Sequence, residues 1–577
     1  MPKLIIPILL FFQLSFVSAQ NTYYVSVTGN NANIGSLAAP FRTIQHAVNT
    51  AASGDIIYVM DGVYNEKVNI SKSGITLSAM AGHNPVIDGN DGTTLAPSGR
   101  QGLITIINKS NIKITGFEIR DFSGSGGNTP VGIYIEGRSN MIEVRNNKIH
   151  GINGTNGAHG IGVFGVDATE ACYDLIFDGN EIYDCKLYWS EAFVLNGNVR
   201  NFEITNNSVH DCDNIAYDFI GYEGECSACT GDTGDNVDRA RDGYVAYNIA
   251  YNIDTKDNLA YGNERSAAGF YVDGGHNIIF EGNISHDCNI GIELASEHYG
   301  KATSDIIVRN NLIYNNHIAG IATGGYSSGT GEGGGQATNC IIINNTLYHN
   351  NNSSRSQDDW GAELFIQNRN INNTYQNNII IANNYSRVEI GSHNSGLVWA
   401  NNLFSGAPGW DVPASGNPVF GNPGFVNPAL GNFNLTASSD AIDKGAAVIP
   451  STVGTVDFNK NSRVVGTSID IGAFEYNAVL GVNTNSVKEI KSGGETLQQI
   501  LYPNPAADYI AFHSVLNDVS LISYKIIDVN GKVWKTGTGE GNFTGKVIVS
   551  VDQLAPQVYY LVLQYEDKLS TISFVKR

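Results

Sequence analysis

Short segments that alternate apolar with small or polar residues recur through the middle of the chain. The seven copies are GIYIEG (132–137), GIGVFG (160–165), AFVLNG (192–197), AYDFIG (216–221), GFYVDG (269–274), GIELAS (291–296) and GIATGG (320–325). Because alternate residues of a strand point to opposite faces, the second and fourth positions are expected to fill a core, and the third and fifth to point outward. The pattern predicts short β-strands that cannot bury a face alone and must stack on one another.

A second repeated motif ends in Asn-x-Ile, Asn-x-Val or a near variant, and its asparagine marks each unit. The markers are Asn147, Asn180, Asn207, Asn248, Asn283, Asn311, Asn345 and Asn378, spaced by 27 to 41 residues. Such spacing is typical of solenoids and propellers, but two or three short strands per unit are too few for a propeller blade. We therefore predict an all-β parallel β-helix with loops of unequal length on one side. The Asn and Gly residues between strands are expected to take left-handed turn conformations.

A solenoid needs a cap, because its open end exposes unpaired backbone groups. The segment PFRTIQHAVNTAA (40–52) predicts an N-terminal cap helix. Its apolar helical face consists of Phe41, Ile44, Ala47, Val48 and Ala51. The strand GDIIYVMDGVY (54–64) follows it.

The stretch AAPFRTIQHAVNTAASGDIIYVMDGVYNEKVNI (38–70) resembles the opening of the pectate-lyase-like right-handed parallel β-helix superfamily. With the coil repeats, the resemblance covers roughly residues 22–476, and DFNKNSRVVGTSIDIGAFEY (457–476) is similar to the closing segment of such domains. It implies a right-handed solenoid. It does not fix the chemistry, because the superfamily contains lyases, hydrolases, epimerases and proteins that are not enzymes.

The last part of the chain has a different pattern. Residues 477–497 are predicted to be a polar linker, and residues 498–577 a small β-sandwich with Asn530-Gly531 as a hairpin turn. The motifs YPNPA (502–506), IIDVNGKVW (526–534) and YYLVL (559–563) resemble the C-terminal sorting domain of the type IX secretion system. That resemblance implies the type IX machinery as a partner and a protein that is released or attached to the outer cell surface.

The N-terminus and the composition restrict compartment and partners. Residues 1–19 have the basic start, apolar run and small-residue cleavage site of a secretory signal peptide, so residues 20–476 are predicted to form the secreted β-helix catalytic domain. No later segment is long and apolar enough to predict a membrane span. The net charge of −21 argues against nucleic acid as a partner. We expect a monomer that binds a polysaccharide.

Stacking the seven strands brings three carboxylates to one outer patch. The third-position column contains Asp218, Tyr271 and Glu293, and the fifth-position column contains Asp273. Strand geometry predicts that the Cα atom of Asp273 lies about 8 Å from those of Asp218 and Glu293. Neighbouring units carry Gly, Ala, Phe and Val at these offsets, so the charges are concentrated at one place.

Paired carboxylates at this separation are typical of glycoside hydrolases, in which one acts as acid and the other as base or nucleophile. We therefore predict a polysaccharide hydrolase that needs no cofactor, with Asp273, Glu293 and Asp218 as catalytic residues. Tyr271 is predicted to orient a carboxylate or stack on a sugar. Further substrate-binding residues are expected around the patch: Asn196, Glu191, Arg265, Glu297 and His298.

Two alternatives remain open. In a polysaccharide lyase acting on pectate, alginate or ulvan, the carboxylates would hold Ca²⁺, and Lys256, Arg265 or Lys301 would be the base. These three lie in predicted loops outside the strand columns. In a glycan-binding solenoid without catalysis, the same patch would only bind.

The seven cysteines do not form a disulfide framework for a chain of this length. Cys226 and Cys229 lie in a long insertion (221–243) and are predicted to form a local disulfide. Cys185, Cys212 and Cys288 share one offset in the repeat and are expected to pack inside the solenoid.

Overall fold

The computed structural model describes residues 20–476, apart from 91–97, 230–236, 354–359, 384 and 449, and discontinuous strands between 490 and 576. The predicted signal peptide (1–19), most of the predicted linker (477–497) and the predicted Asn530-Gly531 turn lie outside the described residues. No helix in the described part of the chain has both the length and the apolar character needed to cross a membrane.

The main unit is a parallel β-helix in which each coil contributes one strand to each of three long sheets, named sheets I, II and III in chain order. Sheet I contains Thr22–Val25, Ile56–Val59, Thr76–Ala79, Ser110–Thr115, Asn140–Arg145, Cys172–Asp178, Val199–Thr205, Arg241–Ala246, His276–Glu281, Ile307–Arg309, Ile341–Ile343, Thr374–Gln376 and Val398–Ala400, with Ala302–Ser304, Gln336–Thr338 and Asn370–Ile371 beside them. Sheet II contains Gly62–Tyr64, Pro85–Asp88, Glu118–Gly124, Lys148–Gly154, Glu181–Tyr183, Ser208–Cys212, Ile249–Ile253, Ile284–His286, Leu312–Tyr314, Thr346–Tyr348, Ile379–Ile381, Leu403–Phe404 and Val419–Phe420. Sheet III contains Val68–Asn69, Ser98–Ile107, Gly127–Glu136, His159–Gly165, Phe193–Gly197, Tyr217–Ile220, Ala268–Asp273, Ile290–Ala295, Ala319–Thr323, Leu364–Ile366 and Val388–Ile390. The fold is the predicted all-β right-handed parallel β-helix.

The other elements before residue 477 are few and short. The α-helices are Ile44–Thr50 and Pro450–Val453, the 3₁₀ helices are Thr255–Asp257, Leu259–Tyr261 and Pro428–Leu430, and two further strands are Phe425–Asn427 and Asn432–Leu435. The long loops that carry functional side chains therefore connect strands of the sheets.

The cap helix is shorter than its sequence pattern predicts, but its predicted apolar face is correct. Thr43 caps the helix, because its side chain accepts a hydrogen bond from the backbone N–H of His46. Five predicted residues are buried in the solenoid core: Phe41, Ile44, Ala47, Val48 and Ala51. The helix thus closes the apolar end of the coil stack.

The marker asparagines have a role that the sequence pattern did not predict. The left-handed residue is the one before each marker, for example Asn206 with φ 57° and Tyr247 with φ 58°. The marker is buried, and its side-chain oxygen accepts hydrogen bonds from the preceding marker: Asn207 donates to Oδ1 of Asn248 from both its backbone N (2.9 Å) and Nδ2 (3.0 Å). The same arrangement links Asn147, Asn180, Asn207, Asn248, Asn283, Asn311, Asn345, Asn378 and Asn402. We call this row the asparagine ladder. It satisfies buried backbone groups at the turn between sheets I and II.

The chain divides into two compact units. The first ends at Tyr476 and omits only residues 426–433, which group with residues 477–577 in the second. The described strands of the second unit after residue 489 pair antiparallel, as their alternating pattern predicts. They are Ile490–Ser492, Glu495–Leu497, Gln499–Tyr502, Tyr509–Ser514, Ile522–Asp528, Val533–Gly539, Lys546–Ser550, Val558–Tyr565 and Lys568–Val575.

Candidate active site

Sheet III brings the predicted carboxylates together on neighbouring strands. Asp218 pairs with Tyr271, and Tyr271 pairs with Glu293, so these three residues form the predicted column. Asp273 lies two residues beyond Tyr271 on the strand Ala268–Asp273 and pairs with Ala295. The registers therefore agree with the column prediction, because a period-two strand repeated once per coil fixes which residues stack.

The carboxylates belong to the predicted outer face of the strands, but they are buried and not exposed to solvent. They lie on the floor of a cleft of about 950 Å³. Asp218, Asp273 and Glu293 are only 2%, 3% and 7% exposed. The reason is that loops on both edges of sheet III rise above its outer face and enclose the strands. Like charges inside such a cleft interact more strongly than they would on an open surface.

Burial dominates the electrostatics of the three carboxyls. Desolvation raises the pKa of Glu293 to about 7, and the amide Nε2 of Gln367, 3.4 Å from Oε1, acts in the opposite direction. Desolvation also raises the pKa of Asp273 well above its usual value, and the charge of Glu297 adds to this effect. The pKa of Asp218 is raised by desolvation, and secondly by Glu191.

The carboxyl oxygens differ in their hydrogen bonds. The backbone N–H of Glu297 donates to Oδ1 of Asp273 at 2.9 Å, which favours the ionised form. By contrast, Oδ1 of Asp218 is buried and has no hydrogen-bond donor among the described residues. An unsatisfied buried acceptor beside a cleft is available to a bound hydroxyl group.

The two edges of the cleft have different chemistry. All strands of sheet III are parallel, so the loops that precede them lie at one edge and the loops that follow them at the other. The preceding loops supply Trp189, Tyr261 and Trp360, which we call the aromatic wall. The following loops supply Glu223, Glu225, Glu297 and Glu332, which we call the acidic wall.

The acidic wall and the floor share one group that could hold a cation. Carboxylate oxygens of Glu223, Asp273 and Glu297 lie within 4.8 Å of one another. His298 Nε2 lies 2.8 Å from Oε1 of Glu223. Oxygen ligands in such a group suit Ca²⁺ by their chemistry.

Cationic side chains are scarce in the cleft. Among the described lining residues the only Lys or Arg is Arg100, whose guanidinium donates to both carboxylate oxygens of Glu225 at 2.8 and 2.6 Å. The same guanidinium stacks 3.6 Å from the ring centroid of Phe164. His159 also lines the cleft, and burial lowers its pKa to about 4, which keeps it neutral. The cleft is therefore strongly acidic.

The predicted binding residues divide into two groups. Tyr271, Asn196, Glu191 and Glu297 line the cleft. His298 and Arg265 are not among the described lining residues, and His298 contacts the lining residue Glu223. Arg265 forms an ion pair with Asp254 at 3.2 Å.

The other lyase-base candidates also lie outside the cleft lining. Lys256 is exposed in the 3₁₀ helix Thr255–Asp257. The ammonium of Lys301 lies 5.3 Å from the ring centroid of Tyr222.

The disulfide loop contributes directly to the acidic wall. Cys226 and Cys229 form a disulfide with Cα atoms 5.2 Å apart. Asp238 accepts the backbone N–H groups of Gly224 and Cys226, each at 2.9 Å, and so fixes the segment that carries Glu225. Cys185, Cys212 and Cys288 are free and buried in the core.

Sequence reasoning missed the aromatic wall, the Arg100–Glu225 pair and Gln367. The wall residues lie in loops between repeats, where no periodicity assigns a direction to a side chain. The usable signal was their position in the sequence, because Trp189 and Trp360 each precede a strand of sheet III by a few residues. Arg100 and Glu225 are 125 residues apart in sequence, so only the folded chain brings them together.

Three long sheets of parallel strands, with a cleft of buried carboxylates on the outer face of one of them, define the class of this protein: the right-handed parallel β-helix proteins. Comparison with known proteins agrees with this class. Residues 23–174 match the family model of the Pel9A-like right-handed β-helix region, and residues 131–331 match that of the right-handed β-helix region. The uncharacterized protein YwoF of Bacillus subtilis (strain 168) is 37% identical over 375 residues, which cover 64% of this chain and 76% of that protein. The chain belongs to the right-handed β-helix family.

Two solved structures illustrate the similarity of fold. The GH136 lacto-N-biosidase from Eubacterium ramulus is 13% identical with a TM-score of 0.43, covering 67% of each chain. The pectate lyase Pel9A is 15% identical with a TM-score of 0.38, covering 80% of this chain and 98% of that one.

The C-terminal part matches a separate family. Residues 500–577 match the model of a secretion-system C-terminal sorting domain. This agrees with the sequence prediction of a type IX sorting signal. The protein is therefore secreted or attached to the cell surface, and the secretion machinery is one of its partners.

Proposed function

We propose that the protein is a glycoside hydrolase that cleaves a neutral plant or algal polysaccharide outside the cell. The observation that carries this proposal is the group of three buried carboxylates, Asp218, Asp273 and Glu293, on the cleft floor. Hydrolysis of a glycosidic bond needs one carboxyl that gives a proton and one carboxylate that acts as base or nucleophile. The remaining carboxyl can hydrogen-bond a sugar hydroxyl.

Glu293 is the proposed general acid. A general acid works best when its pKa is near the working pH, and burial raises the pKa of Glu293 to about 7. It therefore keeps its proton in mildly acidic solution and in about half of the molecules at pH 7. The amide of Gln367 lies at hydrogen-bond distance and can hold the carboxyl in one orientation.

Asp273 is the proposed base or nucleophile. The N–H group of Glu297 donates to Oδ1 and favours the ionised form, against the burial and the Glu297 charge that raise the pKa of Asp273. Asp273 and Glu293 lie on adjacent strands, two residues out of register, so their Cα atoms are about 8 Å apart from strand geometry. A sugar ring fits between side chains that rise from these positions. The anomeric configuration of the first product, followed by NMR, distinguishes a base from a nucleophile.

The charge of the cleft favours a neutral substrate over a uronate. Its lining carries eight carboxyl groups. Burial raises the pKa values of five of them, Glu191, Asp218, Asp273, Glu293 and Glu297, and the other three are Glu223, Glu225 and Glu332. The single Arg is already bonded to Glu225, and His159 is neutral. A polyanionic chain would therefore find no free cation among the described lining residues to offset its charge beside the ionised carboxylates.

A Ca²⁺-dependent lyase is the second candidate, and the oxygen group of Glu223, Asp273 and Glu297 favours it. Bound Ca²⁺ would reverse the charge argument and bring a uronate to the floor. A lyase also needs a base, and no lysine lines the described part of the cleft. This second requirement makes the hydrolase the better-supported function.

The deciding experiment incubates the secreted full-length protein with neutral glycans (laminarin, xylan and galactomannan) and with polygalacturonate and alginate, each with and without EDTA. Reducing ends and the ultraviolet absorbance of unsaturated uronides are followed together. New reducing ends without absorbance support hydrolysis. Absorbance that disappears in EDTA supports the lyase and refutes the hydrolase.

Two site variants and one matched control complete the test. Glu293→Gln and Asp273→Asn are each expected to lower kcat by at least about a hundredfold, because each removes a proton-transfer or nucleophilic group. Glu203→Gln changes an exposed carboxylate on the strand Val199–Thr205 of sheet I and is expected to leave activity unchanged. Full activity in Glu293→Gln would contradict the assignment.

A further inference from the structure

The aromatic wall contains a tryptophan, Trp189, that is half-exposed in the cleft and not packed in the core. Trp189 lines the cleft and is 54% exposed, whereas core aromatic rings such as Phe193 and Tyr217 are buried. Its ring centroid lies 5.2 Å from that of Tyr261, which also lines the cleft. Two adjacent rings that face a cleft offer an apolar surface to whatever enters it.

The backbone beneath this pair is held in place by buried amides. Tyr188, next to Trp189, has a φ of 59°, which a bulky residue adopts only when its surroundings impose it. Its carbonyl oxygen accepts hydrogen bonds from Nδ2 of Asn214 (3.1 Å) and Nδ2 of Asn258 (2.8 Å). Both asparagines are buried.

Asn258 joins the two halves of the pair. Its Oδ1 accepts the backbone N–H of Ala260 at 3.0 Å and caps the 3₁₀ helix Leu259–Tyr261, while its Nδ2 donates to the carbonyl of Tyr188. One side chain therefore fixes both the loop of Trp189 and the helix of Tyr261. Preorganised rings lose little freedom when a ligand binds.

We propose that Trp189 and Tyr261 form a stacking subsite for the apolar face of a neutral pyranose ring of the substrate chain. This inference rests on the proposed function and adds to it the residues that select the substrate class. A pyranose presents C–H groups on its faces and hydroxyls at its edge, so the face lies on the rings while the hydroxyls reach the carboxylates across the cleft. The acidic surroundings exclude a ring that carries its own carboxylate.

Binding and cleavage are tested separately with laminarin, xylan and galactomannan. Binding is measured in the Glu293→Gln background by the change in tryptophan fluorescence and by affinity electrophoresis. Cleavage is measured with Glu293 intact. Trp189→Ala is expected to weaken binding and to raise KM by about tenfold with a smaller effect on kcat, and Trp189→Phe is expected to lie between this variant and the parent.

The control is Trp410→Ala. Trp410 is 89% exposed and does not line the cleft, so its replacement is expected to change neither binding nor KM. Thermal unfolding of each variant detects loss of folding, and the intermediate Trp189→Phe variant keeps an aromatic ring where Trp189→Ala leaves a gap.

Three outcomes bear on the two proposals. Cleavage with an unchanged KM in both Trp189 variants overturns the stacking subsite and leaves the hydrolase proposal standing. Binding without cleavage, lost in Trp189→Ala, overturns the hydrolase and supports the subsite. Neither binding nor cleavage of any of the three glycans overturns both.

Discussion

The alkaline limit of activity is set by the ionisation of Glu293, if this residue is the general acid. Its pKa of about 7 is the balance of burial, which raises it, and the Gln367 amide, which lowers it. About half of the molecules carry the proton at pH 7 and about 1% at pH 9, so kcat/KM is expected to fall about fiftyfold between these values. The variant Gln367→Leu removes the donor that favours the charged form. The alkaline limb is therefore expected to move to higher pH.

The assay is the initial rate of reducing-end release at low glycan concentration from pH 4 to pH 10. Gln336→Leu, on the strand Gln336–Thr338 beside sheet I, is the matched control and is expected to keep the parent profile. An alkaline limb that stays in place or moves to lower pH in Gln367→Leu would refute the reasoning. A limb unchanged in Glu293→Gln, measured on its residual activity, would show that another group titrates there.

Three further predictions follow from contacts described above. EDTA is expected to leave the hydrolase rate unchanged, and a rate that is lost in EDTA and restored by Ca²⁺ would give Glu223, Asp273 and Glu297 the role of metal ligands. Asn248→Ala removes one step of the asparagine ladder and is expected to lower the free energy of unfolding by about 3 kcal/mol in urea titration, whereas Asn140→Ala at the surface changes it little. Folding raises the pKa of Glu293 from 4.5 to about 7, so the folded state binds more protons in this range and stability falls as the pH rises through it. Glu293→Gln is therefore expected to stabilise the protein relative to the parent more at pH 8 than at pH 4.5, and the two gains in free energy of unfolding differ by an amount on the order of 3 kcal/mol. The gain is measured as the change in Tm at each pH, and an equal change at both pH values would contradict the shifted pKa.

The sequence was sufficient for the coil stack and for the column that carries the site. Strand periodicity and the coil repeat place Asp218, Tyr271 and Glu293 in one line, and the registers agree. It was not sufficient for their surroundings. The burial of the carboxylates depends on loops that have no repeat, and their paths follow from contacts such as the Arg100–Glu225 pair across 125 residues.

The asparagine ladder illustrates a different limit. The repeat identified the markers correctly, but the expectation of left-handed turns applied to the residue before each marker, such as Asn206 before Asn207. Asparagine suits both roles, because it tolerates a positive φ and also carries a donor and an acceptor. Composition alone cannot distinguish them, whereas burial does.

The parallel direction of sheet III has a practical consequence for altering this protein. Every loop that enters a strand of the sheet lies at the aromatic wall, and every loop that leaves one lies at the acidic wall. A mutant library confined to residues 187–190 and 258–263 would therefore vary the aromatic wall without changing the acidic wall or the carboxyls of the strands. A second library at residues 222–225 and 296–298 would vary the acidic wall at Glu223, Glu225 and Glu297. The two walls of the cleft are thus encoded in separate stretches of the gene, so they can be varied one at a time and then recombined.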